Sequence, residues 1–448
     1  MIFGKKLVFN TALLTVSSLV MRAVGMLWQV WLTRRLGAVG IGLFGLVMNV
    51  GFLFITLAVS GIRFAVTRLI AEEVGLGRGG SVGGVVRRAG VYCLFFGLSA
   101  AAILWMCAGP IGTLWIGDER TVPSLRLLAL ALPAGGLSSL FGGYFTAVGR
   151  VWKTAAEQFA EQLGRMALTV LALRSVRSDD LATVCAAVVA AGTVADHLGA
   201  AGMGLLYLFD RRRYRVRGAV GKELTPRMLR IALPLALSAW ARSALGTFRQ
   251  LLVPRGLRLS GLGGDAAMGG YGVIHGMALP LLTFPTCLPA ALAELLVPAL
   301  TEAQVAGQTI RLRRTVARLL GRTLFFSLAA GTVFFVSADM LGGLLYRSAD
   351  AARFIRVLAP MVPFIYTDIV TDGCLKGLGQ MMRSMTYNIA EAALGLTLVW
   401  ALLPRWALGG YVFVLYVCEL FNFTLSLRRL RKVTGFRLFE LFRAIVLV

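Results

Sequence analysis

Two arginines lie deep within apolar stretches of the sequence, where a charged side chain needs a partner. Arg22 and Arg242 each follow about thirteen residues of a predicted membrane span, which is roughly 20 Å of helix rise. An arginine at the centre of such a helix costs about 2.5–3.5 kcal/mol. Guanidinium groups form bidentate bonds with phosphate, so this pair suits a diphosphate or another polyanion. Pairing of each arginine with a neighbouring carboxylate is the alternative.

Three further polar residues extend the predicted anion site. Arg249 follows Arg242 by two helical turns and shares its face. Gln29 and Asn49 lie within the first two predicted spans, where amide groups are able to donate hydrogen bonds to a polar substrate. We predict that all three contact the substrate of Arg22 and Arg242.

The fifth predicted span carries a polar stripe. Glu157, Glu161 and Arg165 are spaced four residues apart and therefore share one helix face. Such a stripe is not expected to face lipid. It is either the wall of a substrate cavity or a seam of ion pairs that holds the helices together.

Acidic and amide side chains in the last predicted spans suggest a site for a coupling ion. Asp368 and Asp372 lie on the tenth span, and Asn388 and Glu391 lie on the eleventh. Oxygen ligands of this kind bind a proton or Na⁺ in transport proteins. A purely structural use of Glu391 is the alternative. We expect no other cofactor and no metal centre, because the cysteines lack CxxC spacing and the chain has 2 histidines.

Apolar blocks of about 20 residues, the length that crosses a bilayer, follow one another along the chain. The 448 residues are 58% hydrophobic and 15% charged. The pattern predicts an all-α polytopic membrane protein with about twelve transmembrane helices, at 9–32, 40–62, 89–112, 125–148, 154–173, 181–208, 229–252, 270–297, 319–341, 353–373, 384–403 and 408–427.

The charge distribution predicts the orientation of these helices. The net charge of +25 would suit a nucleic-acid-binding protein, but the basic residues concentrate in every second loop. This distribution predicts that both termini are cytoplasmic and that nucleic acid is not a partner. No GxxxxGK[ST], HExxH or GxSxG motif occurs in a suitable context, so we expect a non-enzymatic protein.

An internal repeat divides the predicted helices into two lobes of six. Shifting Leu125–Glu161 by 230 positions aligns it without gaps to Ile355–Glu391, with a proline, two glycines and a carboxylate matched. The copies share one orientation, so a pseudo-twofold axis along the membrane normal is expected. The predicted domains are an N-terminal lobe, a basic inter-lobe loop, a C-terminal lobe and a basic tail with an incomplete thirteenth apolar segment, at 1–210, 211–228, 229–430 and 431–448.

The opening of the chain resembles a known transporter family. The residues that carry the resemblance are Asn10-Thr11-Ala12-Leu13-Leu14, Ser17, Arg22, Gly25, Leu36-Gly37, Gly40, Gly42-Leu43-Phe44-Gly45, Ser60-Gly61-Ile62 and Val66-Thr67-Arg68-Leu69-Ile70-Ala71-Glu72-Glu73. They are similar to the first two helices of the sporulation-type polysaccharide-biosynthesis flippases of the multidrug/oligosaccharidyl-lipid/polysaccharide (MOP) exporter superfamily.

The resemblance implies two six-helix lobes around a V-shaped cavity and export of undecaprenyl-diphosphate-linked sugars by alternating access. It places Arg22 where related flippases contact the diphosphate, and Arg242 follows only through the repeat. Relatives commonly have fourteen spans, whereas twelve and an incomplete thirteenth are predicted here. A lipid-tail groove formed by the last pair of spans is therefore in doubt. The seventh span lacks the acidic residue that serves sodium in some lipid flippases.

Three functions are therefore compared. The leading expectation is a monomeric flippase in the bacterial cytoplasmic membrane that carries a peptidoglycan or polysaccharide precursor, with this lipid-linked oligosaccharide and membrane lipids as partners. The second is a cation-coupled multidrug antiporter of the multidrug and toxin extrusion (MATE) type, for which carboxylates rather than Arg22 are expected in the first span. The third is a membrane scaffold that no longer transports.

Overall fold

The computed structural model describes residues 2–59, 61–75, 80–176, 180–211, 224–291, 293, 300, 304 and 306–436. For residues 2–19, Val151 and Ser238 it describes the backbone alone. Most of the predicted inter-lobe loop and of the C-terminal tail lie outside what is described. Every regular element in the described part is helical.

Fourteen α-helices occur in the described part, numbered here in chain order. They are α1 Ile2–Val59, α2 Ile62–Gly75, α3 Ser81–Pro110, α4 Val122–Ala147, α5 Val151–Ser175, α6 Leu181–Asp210, α7 Leu224–Leu259, α8 Gly264–Gly272, α9 Leu279–Thr283, α10 Thr309–Val336, α11 Ala338–Leu341, α12 Ala349–Leu358, α13 Val362–Gly377 and α14 Met381–Thr434. Short π-helical turns cover Ile111–Ile116, Val273–Ala278 and Gly342–Tyr346, and 3₁₀ turns cover Glu119–Thr121, Phe284–Thr286 and Ala359–Met361.

The predicted fold class is confirmed. In the described part, 9 helical stretches are long and apolar enough to cross a membrane. Two of them, of 55 and 54 residues, are each long enough for two spans, and each contains a backbone kink, at Gly37 and at Ala407. Counting each as two spans and adding the more polar α5 gives the twelve spans that the sequence predicts. The protein is a multi-pass membrane protein.

The close contacts divide the chain into two units that are not consecutive halves. One unit contains Met1–Ser17 and Leu43–Leu251, and the other contains Ser18–Gly42 and Leu252–Val448. The first span is therefore grouped largely with the C-terminal residues, and most of α7 is grouped with the N-terminal residues. The predicted boundaries at 210 and 229 do not follow this grouping.

Glycines account for both exchanges, because they let backbones approach closely. A Cβ atom on Gly272 would lie 2.0 Å from the carbonyl oxygen of Ala38, so the first span and α8 pack backbone to backbone. A Cβ atom on Gly61 would lie 2.2 Å from the carbonyl oxygen of Ala232 in α7. Neither approach would tolerate a side chain at the glycine.

The two copies of the repeat form the same turn. Gly149 and Gly379, which are 230 positions apart, have φ angles of 71° and 70°. The amide of the residue after each glycine donates a hydrogen bond of 2.8 Å, from Arg150 to the Phe145 carbonyl and from Gln380 to the Leu375 carbonyl. The left-handed conformation explains why glycine occupies both positions.

Candidate functional site

In the first span, Arg22 is exposed and lies seven residues before Gln29, so the two side chains share one helix face. Within the described part of the chain, no hydrogen-bond or ion-pair partner is found for Arg22. Gln29, by contrast, donates a hydrogen bond of 3.3 Å to the Gly276 carbonyl, which also accepts from the hydroxyl of Thr33 at 3.4 Å.

The Gly276 carbonyl needs these donors because Pro280 follows four residues later. Proline has no N–H, so an α-helical hydrogen bond to the Gly276 carbonyl is impossible. The backbone opens into the π turn Val273–Ala278 at this point. Gln29 therefore links the first span to the interrupted helix by a hydrogen bond. Arg22, on the same face of the first span as Gln29, keeps its guanidinium group exposed.

Asn49 and α7 form a comparable arrangement in the other unit. The side-chain amide of Asn49 donates to the Gly45 carbonyl at 2.8 Å and to the side chain of Gln250 at 3.2 Å. The backbone carbonyl of Asn49 accepts from the Thr247 hydroxyl at 3.2 Å. Trp240 Nε1 donates to the backbone of α1. This hydrogen bonding uses the Asn49 amide group for helix packing, which favours a structural role over the predicted substrate contact.

Arg242 and Arg249 occupy a different face of α7. Arg242 is exposed, and no partner for its guanidinium is found within the described residues. Arg249 lies two turns further on, is half-buried and interacts with other groups. The two side chains share a helix face, as the spacing predicts.

The polar stripe of α5 forms ion pairs with α6. Arg165 donates to Glu161 at 2.8 Å and also pairs with Asp196 on α6. The Oε1 atom of Glu157 is buried and has no hydrogen-bond partner in the described part. Gly199 of α6 faces both glutamates, since a Cβ atom there would lie 2.9 Å from Glu157 and 3.1 Å from Glu161.

The ion-paired seam also borders a cavity, and whether a substrate enters it stays a prediction. Glu157 and Glu161 line a cavity of about 570 Å³ whose other walls are largely apolar. Asp196 was missed in the sequence, although a carboxylate inside the sixth predicted span was a visible signal.

Two of the four ion-coupling candidates, Asp368 and Asn388, accept hydrogen bonds from the same amide group. Asn422 donates to Asp368 at 2.9 Å and to Asn388 at 3.1 Å, and Asp368 is only 8% exposed. Within the described residues, Asp368 Oδ1 and Asn422 Oδ1 have no hydrogen-bond partner. Glu391 and Asp372 are close enough to interact electrostatically with Asp368.

Asp372 itself is occupied elsewhere, because it accepts from Ser384 at 2.6 Å and lies 3.8 Å from Lys376. The structure therefore separates the four predicted residues into an Asp368–Asn388 centre and two flanking carboxylates. Asn422 was missed, and its position inside the last predicted span was the only signal in the sequence.

Comparison with known proteins now identifies the family. A model of the family described as "Polysaccharide biosynthesis protein" matches residues 7–304. The chain belongs to the polysaccharide biosynthesis protein family.

Two proteins of Bacillus subtilis (strain 168) are similar to this chain over most of its length. Stage V sporulation protein B is 25% identical over 418 residues, which are 89% of this chain and 78% of the relative. Lipid II flippase MurJ is 24% identical over 366 residues, covering 77% and 66% of the two chains.

Solved structures show the same fold. The structure of lipid II flippase MurJ in an inward closed conformation has a TM-score of 0.72 and 10% sequence identity, and the match covers 97% of this chain and 90% of that chain. An inward-facing MATE multidrug transporter of the MOP superfamily has a TM-score of 0.70 and 15% identity, covering 92% and 95%. The fold is therefore that of MOP-superfamily transporters, and family and fold together support a membrane flippase or transporter.

Proposed function

We propose that this protein is an alternating-access flippase that carries an undecaprenyl-diphosphate-linked glycan, a precursor of peptidoglycan or polysaccharide, across the cytoplasmic membrane. The observation that carries the proposal is that Arg22 and Arg242 lie within spans, are exposed, and have no partner among the described residues. The relative named lipid II flippase supports the same class of substrate.

The balance of charge favours an anionic substrate. Many carboxylates of the described part already pair with basic side chains; these are Glu72, Glu73, Asp118, Glu161, Asp196, Asp210 and Asp339. Arg22 and Arg242 are left with positive charge inside the membrane-spanning part. A diphosphate offers each guanidinium bidentate, charge-assisted bonds and lowers the cost of keeping it there.

Coupling to Na⁺ or H⁺ is proposed at Asp368, Asn388 and Asn422. Two buried oxygen atoms without a partner in the described part, Asp368 Oδ1 and Asn422 Oδ1, suit a small hard cation or a proton. Asp368→Asn keeps the shape and removes the charge, so we expect flipping to lose its dependence on a Na⁺ or pH gradient. Asp350→Asn, at an exposed helix start, is the control. Unchanged gradient dependence in Asp368→Asn would contradict this site.

The substrate is tested in proteoliposomes with a fluorescent undecaprenyl-diphosphate sugar. We expect Arg22→Ala and Arg242→Ala each to slow transbilayer movement at least tenfold, which corresponds to about 1.4 kcal/mol. Arg22→Lys and Arg242→Lys should recover part of the rate, because they retain charge but lose the bidentate geometry. Arg87→Ala, which removes an exposed arginine of α3, should have the rate of the wild type.

A cation-coupled drug antiporter is the second candidate, because the largely apolar cavity lined by Glu157 and Glu161 suits a lipophilic cation. Exchange of a cationic dye for Na⁺ or H⁺ by a wild-type protein that does not flip the lipid would refute the flippase and favour the antiporter. Loss of dye exchange in Glu157→Gln would then assign that cavity.

A further inference from the structure

Four arginines form a continuous stripe on the exposed face of α10. Arg311, Arg314, Arg318 and Arg322 are spaced by three, four and four residues, and all four are exposed. The opposite face of the helix is buried in the core of its unit, with Leu312, Val316, Leu319 and Leu320. The stripe is therefore fixed in place by packing rather than by its own interactions.

The stripe lacks compensation by acidic groups in the described part of the chain. Arg311 donates to Gln308 at 3.0 Å, and Arg318 donates weakly to the Arg314 carbonyl at 3.4 Å. No carboxylate pairs with Arg314, Arg318 or Arg322 among the described residues. Because like charges four residues apart repel each other on a helix, this arrangement favours an anion that bridges them.

The start of α10 adds space and donors for such an anion. A cavity of about 530 Å³ is lined by Gly307–Arg311 together with Arg314 and Arg318. No side chain among the described residues caps the N-terminus of the helix at Gln308. The N–H of Thr309 donates to the Gly307 carbonyl at 2.9 Å, so the N–H groups of Ile310 and Arg311 are the ones that a helix start leaves for a ligand. Phosphate oxygens accept hydrogen bonds from both kinds of donor.

The same face becomes apolar one turn beyond Arg322. Phe325, Leu328 and Val333 continue the stripe and are 49%, 48% and 62% exposed. The anion is therefore expected next to hydrocarbon, which distinguishes a lipid from a soluble phosphate. An acyl chain lying along Phe325 and Leu328 would place its headgroup phosphate beside the arginines.

We propose that the arginine stripe, Arg311, Arg314, Arg318 and Arg322, is a binding site for the phosphate headgroup of an anionic phospholipid. Arg314 and Arg318 hold the phosphate, and the acyl chains pack on Phe325 and Leu328. The proposal uses neither Arg22 nor Arg242, and it does not depend on the identity of the transported substrate.

The test is native mass spectrometry of the purified full-length protein titrated with dioleoylphosphatidylglycerol, with dioleoylphosphatidylcholine as the neutral lipid. The triple variant Arg314→Gln, Arg318→Gln, Arg322→Gln is compared with a matched variant that also loses three exposed arginines, Arg87→Gln, Arg174→Gln, Arg383→Gln. These three lie on different helices, α3, α5 and α14, and form no stripe. Size-exclusion profiles and thermal unfolding check that both variants fold.

We expect the stripe variant to bind phosphatidylglycerol at least tenfold more weakly, and the matched variant to stay within about twofold of the wild type. The corresponding triple lysine variant should lie between them, because lysine binds phosphate without the bidentate geometry. Equal losses in the stripe and matched variants would overturn the proposal in favour of general surface charge. Equal binding of phosphatidylcholine, or displacement of the lipid by inorganic diphosphate at equal concentration, would overturn the assignment to an anionic lipid.

If the stripe variant fails to fold, the single variants Arg314→Gln and Arg318→Gln take its place. Each is expected to weaken binding of phosphatidylglycerol about threefold or more, against an unchanged Arg383→Gln. Wild-type affinity in both single variants would overturn the role of these two arginines in holding the phosphate.

Discussion

The seam between α5 and α6 depends on one arginine that serves two carboxylates. Arg165 contacts Glu161 and Asp196, and Glu157 lies close to both of these carboxylates. Replacing it by methionine, Arg165→Met, keeps the aliphatic part of the side chain and removes the charge. The three carboxylates then lose the arginine that pairs with two of them, while Arg63 and His197 stay within electrostatic reach of Glu157 and Asp196.

The expected loss of stability follows from this geometry. As a general scale, any two like charges about 6 Å apart repel by about 3 kcal/mol at an effective dielectric constant of 20. Removing one partner of a buried ion pair costs about 3–5 kcal/mol. Because the Arg165 side chain is 32% exposed, water screens part of this charge, and we expect the lower range, about 2–4 kcal/mol.

The free energy of unfolding is measured by titrating the protein in mixed micelles with sodium dodecyl sulfate. A rescue variant, Arg165→Met with Glu161→Gln and Asp196→Asn, removes the charge of both partners and is expected to recover to within about 1 kcal/mol of the wild type. Arg174→Met removes an exposed arginine from the same helix and should cost less than about 0.5 kcal/mol.

A loss below about 1 kcal/mol for Arg165→Met would refute the structural role of the seam. If the same variant lost transport at unchanged stability, Arg165 would belong to the cavity wall instead. Failure of the rescue variant to recover would show that hydrogen-bond geometry, rather than charge, determines the stability of this seam.

Two further perturbations test the packing of each unit. Gly272→Ala should lower the free energy of unfolding by at least about 1–3 kcal/mol in the same titration, because the new methyl group meets the Ala38 carbonyl. Gly264→Ala is the control: no atom lies within 4 Å of the new Cβ, so its stability should be within about 1 kcal/mol of the wild type. Asp210→Ala should cost about 3–5 kcal/mol, because the buried carboxylate accepts from Tyr144 at 2.9 Å and from Lys153 at 3.2 Å. Tyr144→Phe removes only the hydroxyl and should cost about 1 kcal/mol, so equal losses in these two variants would contradict the charged role of Asp210.

The number and type of the elements could be read from the sequence because the bilayer imposes them. Each span must be about 20 residues long and apolar, which leaves a periodic pattern that needs no knowledge of packing. The repeat was also visible, since Gly149 and Gly379 occupy a turn whose left-handed backbone excludes most other residues.

The partners of the polar residues could not be read in this way. The stripe of Glu157, Glu161 and Arg165 was evident from its spacing, but its link to Asp196 depends on how α6 lies against α5. Gln29 and Asn49 are predicted to contact substrate, and nothing in the sequence indicates that both amides also donate hydrogen bonds to backbone carbonyls. The carbonyl that Gln29 satisfies is free because of a proline about 250 residues away in sequence, at Pro280.

Local composition and spacing predict that the chain crosses the membrane about twelve times, that it contains two related halves, and that two arginines lie inside spans. The tertiary structure is needed to show which helices form each unit, because glycine contacts such as Gly272 with Ala38 join segments that are distant in sequence. It also decided which polar groups are satisfied by protein, since a hydrogen bond depends on atoms that approach within about 3 Å in space, regardless of their separation along the chain.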